Sequence, residues 1–322
     1  MERLPGEMFI TVIVSTHNRA GLLAGCLQSL ADQTMPVEQY DVVVVENACT
    51  DQTSSVVEGF ARSRPNFRSV RDPQPGKSRA LNAGLRYARG SHVAFIDDDA
   101  RAPRPWVEQI ARAFSNTAPT PAVVAGKIKS IYERPPPAWW EPVTEQSIRK
   151  PGFLKPGWDL YCVAGSNLAF DKEALLDCGG FAVHHGPVGK LFRLGEDTEA
   201  VVRVAARSPA VWYDPNITVE HWVPAQKMTF RYLIWRKYLS GVATSKIQKF
   251  TLLSFRTLVA LLTLPTRPFR RNGGGSAAQR GAGESCSSRP LRGALRVQVS
   301  MLRGALWVAE KAGRFRGARL LS

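Results

Sequence analysis

The stretch Ser91-His-Val-Ala-Phe-Ile-Asp97-Asp98-Asp99 decides the fold class, because a short apolar run ends abruptly in three carboxylates. The run from Val93 to Ile96 has a β-branched residue at either end, which is typical of a buried central strand. Open α/β sheets bind their ligands beyond the carboxyl ends of such strands. The three aspartates are therefore predicted to lie at the ligand-binding edge of a sheet.

Three adjacent carboxylates repel one another, and a bound cation would neutralise them. Carboxylate oxygens are ligands that suit Mg²⁺ or Mn²⁺. Because side chains alternate along a strand, we expect Asp97 and Asp99 to point in one direction and Asp98 in the other. Asp97 and Asp99 are then the expected metal pair. For the three aspartates taken alone, a solvated acidic turn is the alternative.

Strand-like and helix-like segments alternate on both sides of this stretch. Apolar runs predict further strands over residues 9–15, 41–45, 67–70, 121–125, 161–170 and 210–213. Helical spacing predicts helices over residues 20–31, 77–88, 106–114 and 196–206, with a short one after Asp171. Because strand, helix and strand repeat several times, the sequence favours an α/β fold with a mostly parallel sheet.

The first two strands end in polar turns, as at the start of a nucleotide-binding α/β unit. Thr16 to Arg19 follow the first strand, and Glu46 to Asp51 follow the second. An acid at the end of an apolar strand needs a partner, so contact of Glu46 with a base or ribose is favoured. Asp51 either caps the next helix or faces the ligand, and capping is the favoured role.

Lys77 and Arg79 fall in the first turn of the helix that follows Gly76. The helix dipole disfavours cations there unless an anion is nearby. A diphosphate bound at the helix start would supply that anion. The Gly-Lys-Ser sequence lacks the glycine spacing of a Walker P-loop and does not predict that motif.

Two acids and a histidine in the second half of the chain are further candidates. Glu196 and Asp197 open a helix, where they either cap it or supply a general base. His221 stands between apolar residues, where histidine is more often a core or surface residue than a ligand.

The segment 131–158 is rich in proline and tryptophan and predicts a loop. Trp139 and Trp140 in this loop either stack on a sugar or lipid acceptor or pack against the sheet. Gly165 interrupts the strand-like run 161–170 at a point where a ligand or a backbone segment can approach closely.

The chain of 322 residues is 44% hydrophobic, which allows one large domain or two. Its five cysteines are scattered, which favours a reducing compartment over a disulfide framework or a zinc ribbon. The first residues show no signal-peptide pattern, and no apolar run is long enough to span a bilayer. We therefore expect a cytoplasmic location.

The net charge of +16 resides in the C-terminal part of the chain. Residues 231–322 contain 18 Lys and Arg and two acids, whereas residues 1–230 contain 25 of each and are neutral. The basic charge therefore belongs to the C-terminal part and does not bear on the chemistry around Asp97, and nucleic acid is not an expected partner.

The basic part divides into segments of different composition. Residues 242–271 form an apolar and amphipathic helical segment, 272–289 a flexible Gly/Ser linker, and 290–322 a basic amphipathic helix. Such helices bind anionic membrane surfaces, where each base contributes ~1 kcal/mol close to the surface. Packing on the folded domain is the alternative. We therefore expect a peripheral protein at the inner face of the cell membrane.

Seven short motifs occur in the order typical of the family 2 glycosyltransferases, and the chain resembles that family from about residue 9 to residue 241. The motifs are Val12-Ile-Val-Ser-Thr-His-Asn-Arg19, Val45-Glu-Asn-Ala-Cys-Thr-Asp51, Gly76-Lys-Ser-Arg-Ala-Leu-Asn-Ala-Gly-Leu85, Phe95-Ile-Asp-Asp-Asp99, Gly165-Ser-Asn-Leu-Ala-Phe170 with Gly179-Gly-Phe181, Gly195-Glu-Asp-Thr-Glu199, and His221 before Val-Pro. The resemblance implies a GT-A fold, a Rossmann-like mixed sheet with flanking helices, over residues 1–241. It implies a nucleotide-binding half over 1–115 and an acceptor-binding half over 116–241.

The resemblance also implies inverting transfer of a sugar from a nucleotide-diphosphate sugar to an acceptor hydroxyl of a glycan or a lipid-linked molecule. It implies Asp197 as the catalytic base, with Glu196 contacting the acceptor. It implies a divalent cation, Mn²⁺ or Mg²⁺, held by Asp97, Asp99 and His221. The expected nucleotide-sugar contacts are Thr16, Asn18, Arg19, Glu46, Asn47, Asp51, Lys77, Arg79, Asp97 and Asp98. The expected acceptor contacts are Trp139, Trp140, Gly165 and Asn167. Glu46 departs from the family, which more often has Asp at that position.

Two other functions fit parts of the sequence. A sugar-phosphate nucleotidyltransferase shares the nucleotide-binding plan, but it usually carries a glycine-rich signature that residues 15–19 lack. A non-catalytic module that binds membrane or nucleic acid would use the basic part and keep the α/β domain as a scaffold. The presence of Asp97, Asp99 and Asp197 argues against that reading.

Overall fold

The computed structural model describes residues 8–137, 140, 150–161, 163–188 and 193–247. The segments predicted at 272–289 and 290–322, most of 242–271, and Trp139 lie outside the described residues. The predicted boundary after residue 241 falls within a helix that continues to Ile247. The division of the chain into functional segments stays a prediction.

Nine strands and seven α-helices make up the described part of the chain. The strands are β1 (Ile10–Thr16), β2 (Tyr40–Asn47), β3 (Phe67–Asp72), β4 (His92–Phe95), β5 (Ala100–Arg101), β6 (Val123–Tyr132), β7 (Gly152–Phe153), β8 (Leu168–Asp171) and β9 (Val211–Val223). The helices are α1 (Ala20–Ala31), α2 (Thr53–Ser63), α3 (Lys77–Tyr87), α4 (Trp106–Asn116), α5 (Lys172–Asp177), α6 (Glu196–Arg207) and α7 (Phe230–Ile247). Short 3-10 turns occupy Trp158–Tyr161, Gly165–Asn167 and Ala225–Lys227.

The strands form one mixed sheet in the order β3-β2-β1-β4-β8-β6-β9-β5, and β7 pairs with β9. The first four strands of this order run parallel, as the alternation of strands and helices predicts. β8 is antiparallel to both β4 and β6, and β9 is parallel to β6. Since β8 starts opposite Phe95, the turn Gly165–Asn167 lies at the same edge as the carboxyl end of β4.

The central strands β1, β2, β4 and β8 are buried on both faces, which explains why they are nearly continuous apolar runs. Alternate residues of β1 point to opposite faces: Val12 and Val14 pack among α1, α2 and α4, and Ile13 packs among α3, α5 and α6. Gly84 allows α3 to lie close to the sheet, because a Cβ there would be 2.5 Å from Ile13 Cγ2. The result is a three-layer α/β/α fold.

The strand predicted over residues 161–170 is correct only at its C-terminal end. Residues 161–170 were expected to be extended, but Trp158–Tyr161 and Gly165–Asn167 form 3-10 turns and the strand begins only at Leu168. The Asn167 amide binds the backbone of two other strands, which favours a turn over a longer strand. Within the described residues, every helix is too short or too polar to cross a membrane.

Candidate active site

Acidic and basic side chains meet at the edge of the sheet where β1, β2 and β4 end. One small pocket there is lined by Lys77, Asp97, Gly165, Glu196 and Asp197, with aromatic and aliphatic side chains behind them. The pocket therefore brings together residues from the end of β4, the starts of α3 and α6, and the turn before β8. These are elements that lie far apart in the sequence.

The three aspartates lie in a turn after β4 and not on the strand. The Ala100 N–H donates to the Asp97 carbonyl at 3.0 Å, which closes this turn and starts β5. Strand alternation, the predicted reason for pairing Asp97 with Asp99, therefore does not apply. The two carboxylates meet because the chain reverses and β5 pairs with β9, which sets Ala100 opposite His221.

Three side chains lie close enough together to bind one cation: those of Asp97, Asp99 and His221. The ligand atoms that they offer all lie within 4.8 Å of one another. The His221 Nε2 is 3.1 Å from Asp99 Oδ1 and 3.9 Å from Asp97 Oδ2. Asp99 Oδ1 is buried and makes no well-aligned hydrogen bond, so this oxygen retains the capacity to bind a cation. The two carboxylates suit Mn²⁺ or Mg²⁺, whereas an imidazole ligand is typical of transition-metal sites.

Arg19 neutralises two of the three aspartates from the other side. One guanidinium nitrogen lies 2.9 Å from Asp98 Oδ1 and 3.0 Å from Asp99 Oδ2. Burial opposes the ionisation of Asp99, but the adjacent His221 and Arg19 hold the pKa of its carboxyl well below the usual value. For Asp98, burial outweighs Arg19 and raises the pKa of the carboxyl. Arg19 remains half-exposed and can reach a ligand at this edge.

Lys77 links the aspartate turn to the start of α6. Its ammonium lies 2.9 Å from Asp97 Oδ1 and 3.2 Å from Glu196 Oε1. Burial opposes the charge of Lys77, but attraction to Asp97, Glu196 and Asp197 outweighs it and raises the pKa of the ammonium well above its usual value. Burial likewise raises the pKa of Glu196, against the pull of Lys77.

Asp197 is held by two backbone donors. The Gly165 N–H donates to Oδ2 at 2.5 Å, and the Thr198 N–H donates to Oδ1 at 2.8 Å. A Cβ at position 165 would lie 2.9 Å from both the Cβ and Oδ2 of Asp197. Glycine is therefore needed here for the close approach of the turn to this carboxylate, and the contact that Gly165 makes is with Asp197.

The loops after β1 and β2 are fixed to each other by side chains that were expected to bind the donor. Asn18 Oδ1 accepts from the N–H groups of Thr50 and Asp51. The Asp51 carboxylate accepts from the N–H groups of Ala20 and Thr53, so it ties the starts of α1 and α2 together. The N-cap of α2 is Gln52, so Asp51 supports the helix start from the position before the cap. Contact of these residues with a donor stays a prediction.

Glu46 and Thr16 are buried at the ends of β2 and β1. The hydroxyls of Ser54 and Ser69 donate to the two Glu46 carboxylate oxygens. Glu46 therefore has partners inside the protein, and the sequence argument that it needs a ligand as partner does not hold. The expected contacts of both residues with the nucleotide stay predictions.

The start of α3 offers less room for a diphosphate than its sequence predicts. The Gly76 N–H donates to Asn47 Oδ1, and the Lys77 N–H donates to the Pro187 carbonyl. These donors are therefore occupied by protein atoms. Lys77 turns toward Asp97 and Glu196, while Arg79 is exposed. Lys77 thus has carboxylate partners within the protein, and contact of Lys77 and Arg79 with a donor diphosphate stays a prediction.

Asn167 and Trp140 are both buried, and their expected contacts with an acceptor stay predictions. The Asn167 Oδ1 accepts from the indole N–H of Trp106 at 2.9 Å, and its amide nitrogen donates to the carbonyls of Lys127 and Ile217. Asn167 is 2% exposed, so the structure gives it a structural role. Trp140 packs in a small cluster with Met228 and Leu233, in agreement with the packing alternative.

The loop of residues 181–188, which we call the covering loop, contacts the start of α3, and no sequence pattern predicted this contact. Its carbonyls at His185 and Pro187 accept hydrogen bonds from Ser78 Oγ and the Lys77 N–H. Gly186 in this loop packs against both Ser78 and Glu196. No local pattern signals these contacts, because the partners are about 110 residues away and are mostly backbone atoms.

A family model described as glycosyl transferase family 2 matches residues 11–179, about half of the chain. The chain belongs to glycosyl transferase family 2. The matched region contains the aspartate turn, Lys77 and Gly165, and ends before Asp197 and His221. The expected family is confirmed.

The relatives of this family 2 chain extend the similarity. Glycosyltransferase AglE of Haloferax volcanii is 30% identical over 125 residues, which are 38% of this chain and 40% of AglE. The glucosyl-dolichyl phosphate glucuronosyltransferase of the same organism is 23% identical over 238 residues, 73% of this chain and 75% of the relative. The chain thus spans less than half the length of AglE.

The fold is shared with solved structures. The mannosyltransferase PcManGT from Pyrobaculum calidifontis, solved in complex with GDP-Man and Mn²⁺, has a TM-score of 0.55 at 22% identity. The superposition covers 81% of this chain and 77% of that one. The expected GT-A fold, with its mixed sheet and flanking helices, is confirmed.

Proposed function

We propose that this chain is an inverting glycosyltransferase that moves a sugar from a nucleotide-diphosphate sugar to an acceptor hydroxyl. One observation carries the proposal: Asp97 and Asp197 line the same pocket, with Asp99 and His221 beside Asp97. A carboxylate that can deprotonate a hydroxyl is thus next to a cluster that can hold a cation for a leaving diphosphate. Family membership supports the same reaction.

Asp197 is the proposed general base. A general base must be ionised in order to accept a proton. The N–H groups of Gly165 and Thr198 fix the orientation of the Asp197 carboxylate. The acceptor hydroxyl gives its proton to Asp197 as its oxygen attacks the anomeric carbon of the donor. The bond from that carbon to the diphosphate breaks in the same in-line displacement, so no covalent intermediate with the protein forms.

Asp97, Asp99 and His221 would hold a divalent cation, for which the donor set fits Mn²⁺ or Mg²⁺. The chemistry that such a cation supplies is stabilisation of negative charge on a leaving diphosphate. Arg19 lies on the same side and adds a positive charge near the phosphate position. The Mn²⁺ and GDP-Man bound by PcManGT support this arrangement.

The acceptor class that we propose is a hydroxyl of a glycan or of a lipid-linked molecule. The name of the dolichyl phosphate relative supports a lipid-linked acceptor. The basic residues of 231–322 support peripheral attachment to an anionic membrane surface at its cytoplasmic face, which would suit a lipid-linked acceptor.

The test begins with unfolding temperatures of the purified chain with UDP-, GDP- and dTDP-sugars, each with Mn²⁺, with Mg²⁺ and with chelator. A donor present at 100 times its Kd stabilises a protein by ~2.7 kcal/mol, which such a scan detects. The donor found in this way is then incubated with glycan and lipid-linked acceptors, and the anomeric configuration of the product is read by NMR.

Asp197→Asn is expected to bind the donor like the parent chain and to lose transfer. Asp214→Asn is the matched control, because Asp214 lies on β9 and is not among the residues that line the pocket. A product with retained configuration would overturn the inverting mechanism. Full transfer by Asp197→Asn would overturn the assignment of the base.

A further inference from the structure

Lys77 contacts two carboxylates that have different roles in the proposed reaction. The ammonium lies 2.9 Å from Asp97 Oδ1, on the cation side of the pocket, and 3.2 Å from Glu196 Oε1, beside the proposed base. Asp97 follows β4 and Glu196 begins α6, so one side chain from α3 joins both elements.

The backbone of Lys77 is fixed before its side chain reaches the pocket. Gly76, with a φ of 146°, turns the chain into α3, and its N–H donates to Asn47 Oδ1 at 2.8 Å. The Lys77 N–H donates to the Pro187 carbonyl at 3.0 Å, and Ser78 Oγ donates to the His185 carbonyl at 2.8 Å. Lys77 is thus anchored on one side by β2 and on the other by the covering loop.

The covering loop also fixes the second partner of Lys77. A Cβ built on Gly186 would lie 3.3 Å from both Cβ and Cδ of Glu196, and 3.0 Å from Ser78 Oγ. Gly186 is therefore in contact with the helix starts that carry Lys77 and Glu196. Its φ of 78° is one that residues with side chains rarely adopt.

We infer that Lys77 is a positioning residue that sets the distance between the cation-binding carboxylate Asp97 and the acid pair Glu196 and Asp197. This inference rests on the proposed function for its kinetic consequences. The two ion pairs of Lys77, with Asp97 and with Glu196, form a bridge between these carboxylates. The covering loop holds this bridge in place through Gly186. Lys77 acts through the two carboxylates, and it is not counted as a ligand of the donor.

The bridge has two consequences of opposite sign. The ammonium shares Asp97 with any cation bound by Asp99 and His221, so it weakens cation binding by repulsion. The same ammonium keeps Asp97 and the α6 acids in register for transfer. Loss of Lys77 is therefore expected to strengthen Mn²⁺ binding while it slows the reaction. A residue that only stabilised the fold would not move these two quantities in opposite directions.

The first experiment compares Lys77→Met, Lys77→Arg and the parent chain, with Lys172→Met as the control. Lys172 begins α5 at the opposite edge of the sheet. For Lys77→Met we expect Mn²⁺ to bind about fivefold more tightly in calorimetry. We expect kcat to fall about 10- to 100-fold, with the donor KM little changed. Lys77→Arg should recover part of kcat, and Lys172→Met should match the parent.

A rise in the donor KM of Lys77→Met at constant kcat would overturn the inference and make Lys77 a donor ligand. Unchanged kcat and unchanged Mn²⁺ affinity would also overturn it. Mn²⁺ calorimetry needs no donor, so it tests the bridge even if every sugar nucleotide fails as a substrate. In that case the proposed function fails and the effect of Lys77 on cation binding still decides the inference.

A second pair of variants tests the bridge without removing a charge. Gly186→Ala and Gly179→Ala introduce a methyl group at positions of similar positive φ, 78° and 84°. Only the first meets neighbours, because nothing lies within 4 Å of a Cβ at 179. Gly186→Ala is expected to lower kcat about tenfold or more with folding retained, and Gly179→Ala to leave it unchanged. Equal kcat values in the two variants would contradict a role of the covering loop.

Discussion

The His221 Nε2 lies 3.1 Å from Asp99 Oδ1, although 122 positions separate the two residues in the chain. The short strand β5 brings them together, since Ala100 pairs with His221 directly after the aspartate turn. The proximity of Asp97, Asp99 and His221 therefore depends on one two-residue strand. This geometry is built by backbone pairing and not by the side chains themselves.

His221→Ala should weaken Mn²⁺ binding about 10- to 100-fold, because one of three protein ligands is removed. Calorimetry with MnCl₂ measures the effect, and addition of EDTA should abolish the heat in the parent chain. His92→Gln is the control, as His92 starts β4 at the opposite edge of the sheet. Equal Mn²⁺ affinity of His221→Ala and the parent would remove His221 from the cation site.

Gly165→Ala should reduce kcat because the new methyl group would lie 2.9 Å from the Asp197 carboxylate. A base displaced by a fraction of an ångström to 1 Å loses about 10- to 100-fold in rate. Gly59→Ala is a matched control, since a Cβ there has no neighbour within 4 Å. Steady-state kinetics at saturating donor give kcat for both. A normal kcat in Gly165→Ala, with the fold intact, would argue against Asp197 as the base.

The sequence predicts the helices and the parallel strands well, because their apolar periodicity is local. Helix α1 spans Ala20–Ala31 as its spacing predicts, and α6 starts at Glu196. The failure at 161–170 has a different origin. Those residues are apolar enough for a strand, but the turn at Gly165–Asn167 is set by hydrogen bonds to Trp106 and to distant backbone.

In the candidate site, too, local sequence patterns predict some features, and others depend on contacts between distant residues. Strand alternation and the resemblance both predicted the pair Asp97 and Asp99, and the resemblance added His221. The three side chains do lie together, but the two aspartates follow β4 in a turn, so alternation along a strand is not the reason. The pairing of Lys77 with Asp97 and Glu196 was not predicted at all. Sequence spacing placed Lys77 at a helix start and suggested an anion there, and only the tertiary structure shows that the anions are carboxylates of the protein.

Asn167→Ala should destabilise the fold rather than impair acceptor binding. The substitution leaves the buried indole N–H of Trp106 without its acceptor and the carbonyls of Lys127 and Ile217 without their donor. Buried groups left unsatisfied in this way cost about 2–4 kcal/mol in total. Urea unfolding measures the loss, and Asn116→Ala at the exposed end of α4 is the control. A loss below roughly 0.5 kcal/mol, the usual range for surface substitutions, would refute the structural role.

The basic C-terminal part should attach the chain to anionic membranes. Residues 252–322 contain 13 Lys and Arg and two acids, and each base near an anionic surface contributes ~1 kcal/mol. Arg292→Gln, Arg296→Gln and Arg303→Gln combined in the full chain should therefore lower binding to vesicles with phosphatidylserine by about tenfold or more. Co-sedimentation measures the binding, which should also fall with rising salt. The same triple exchange at the exposed residues Arg62, Arg86 and Arg89 is the control. Equal binding of the two triple variants would show that the C-terminal arginines do not make the contact.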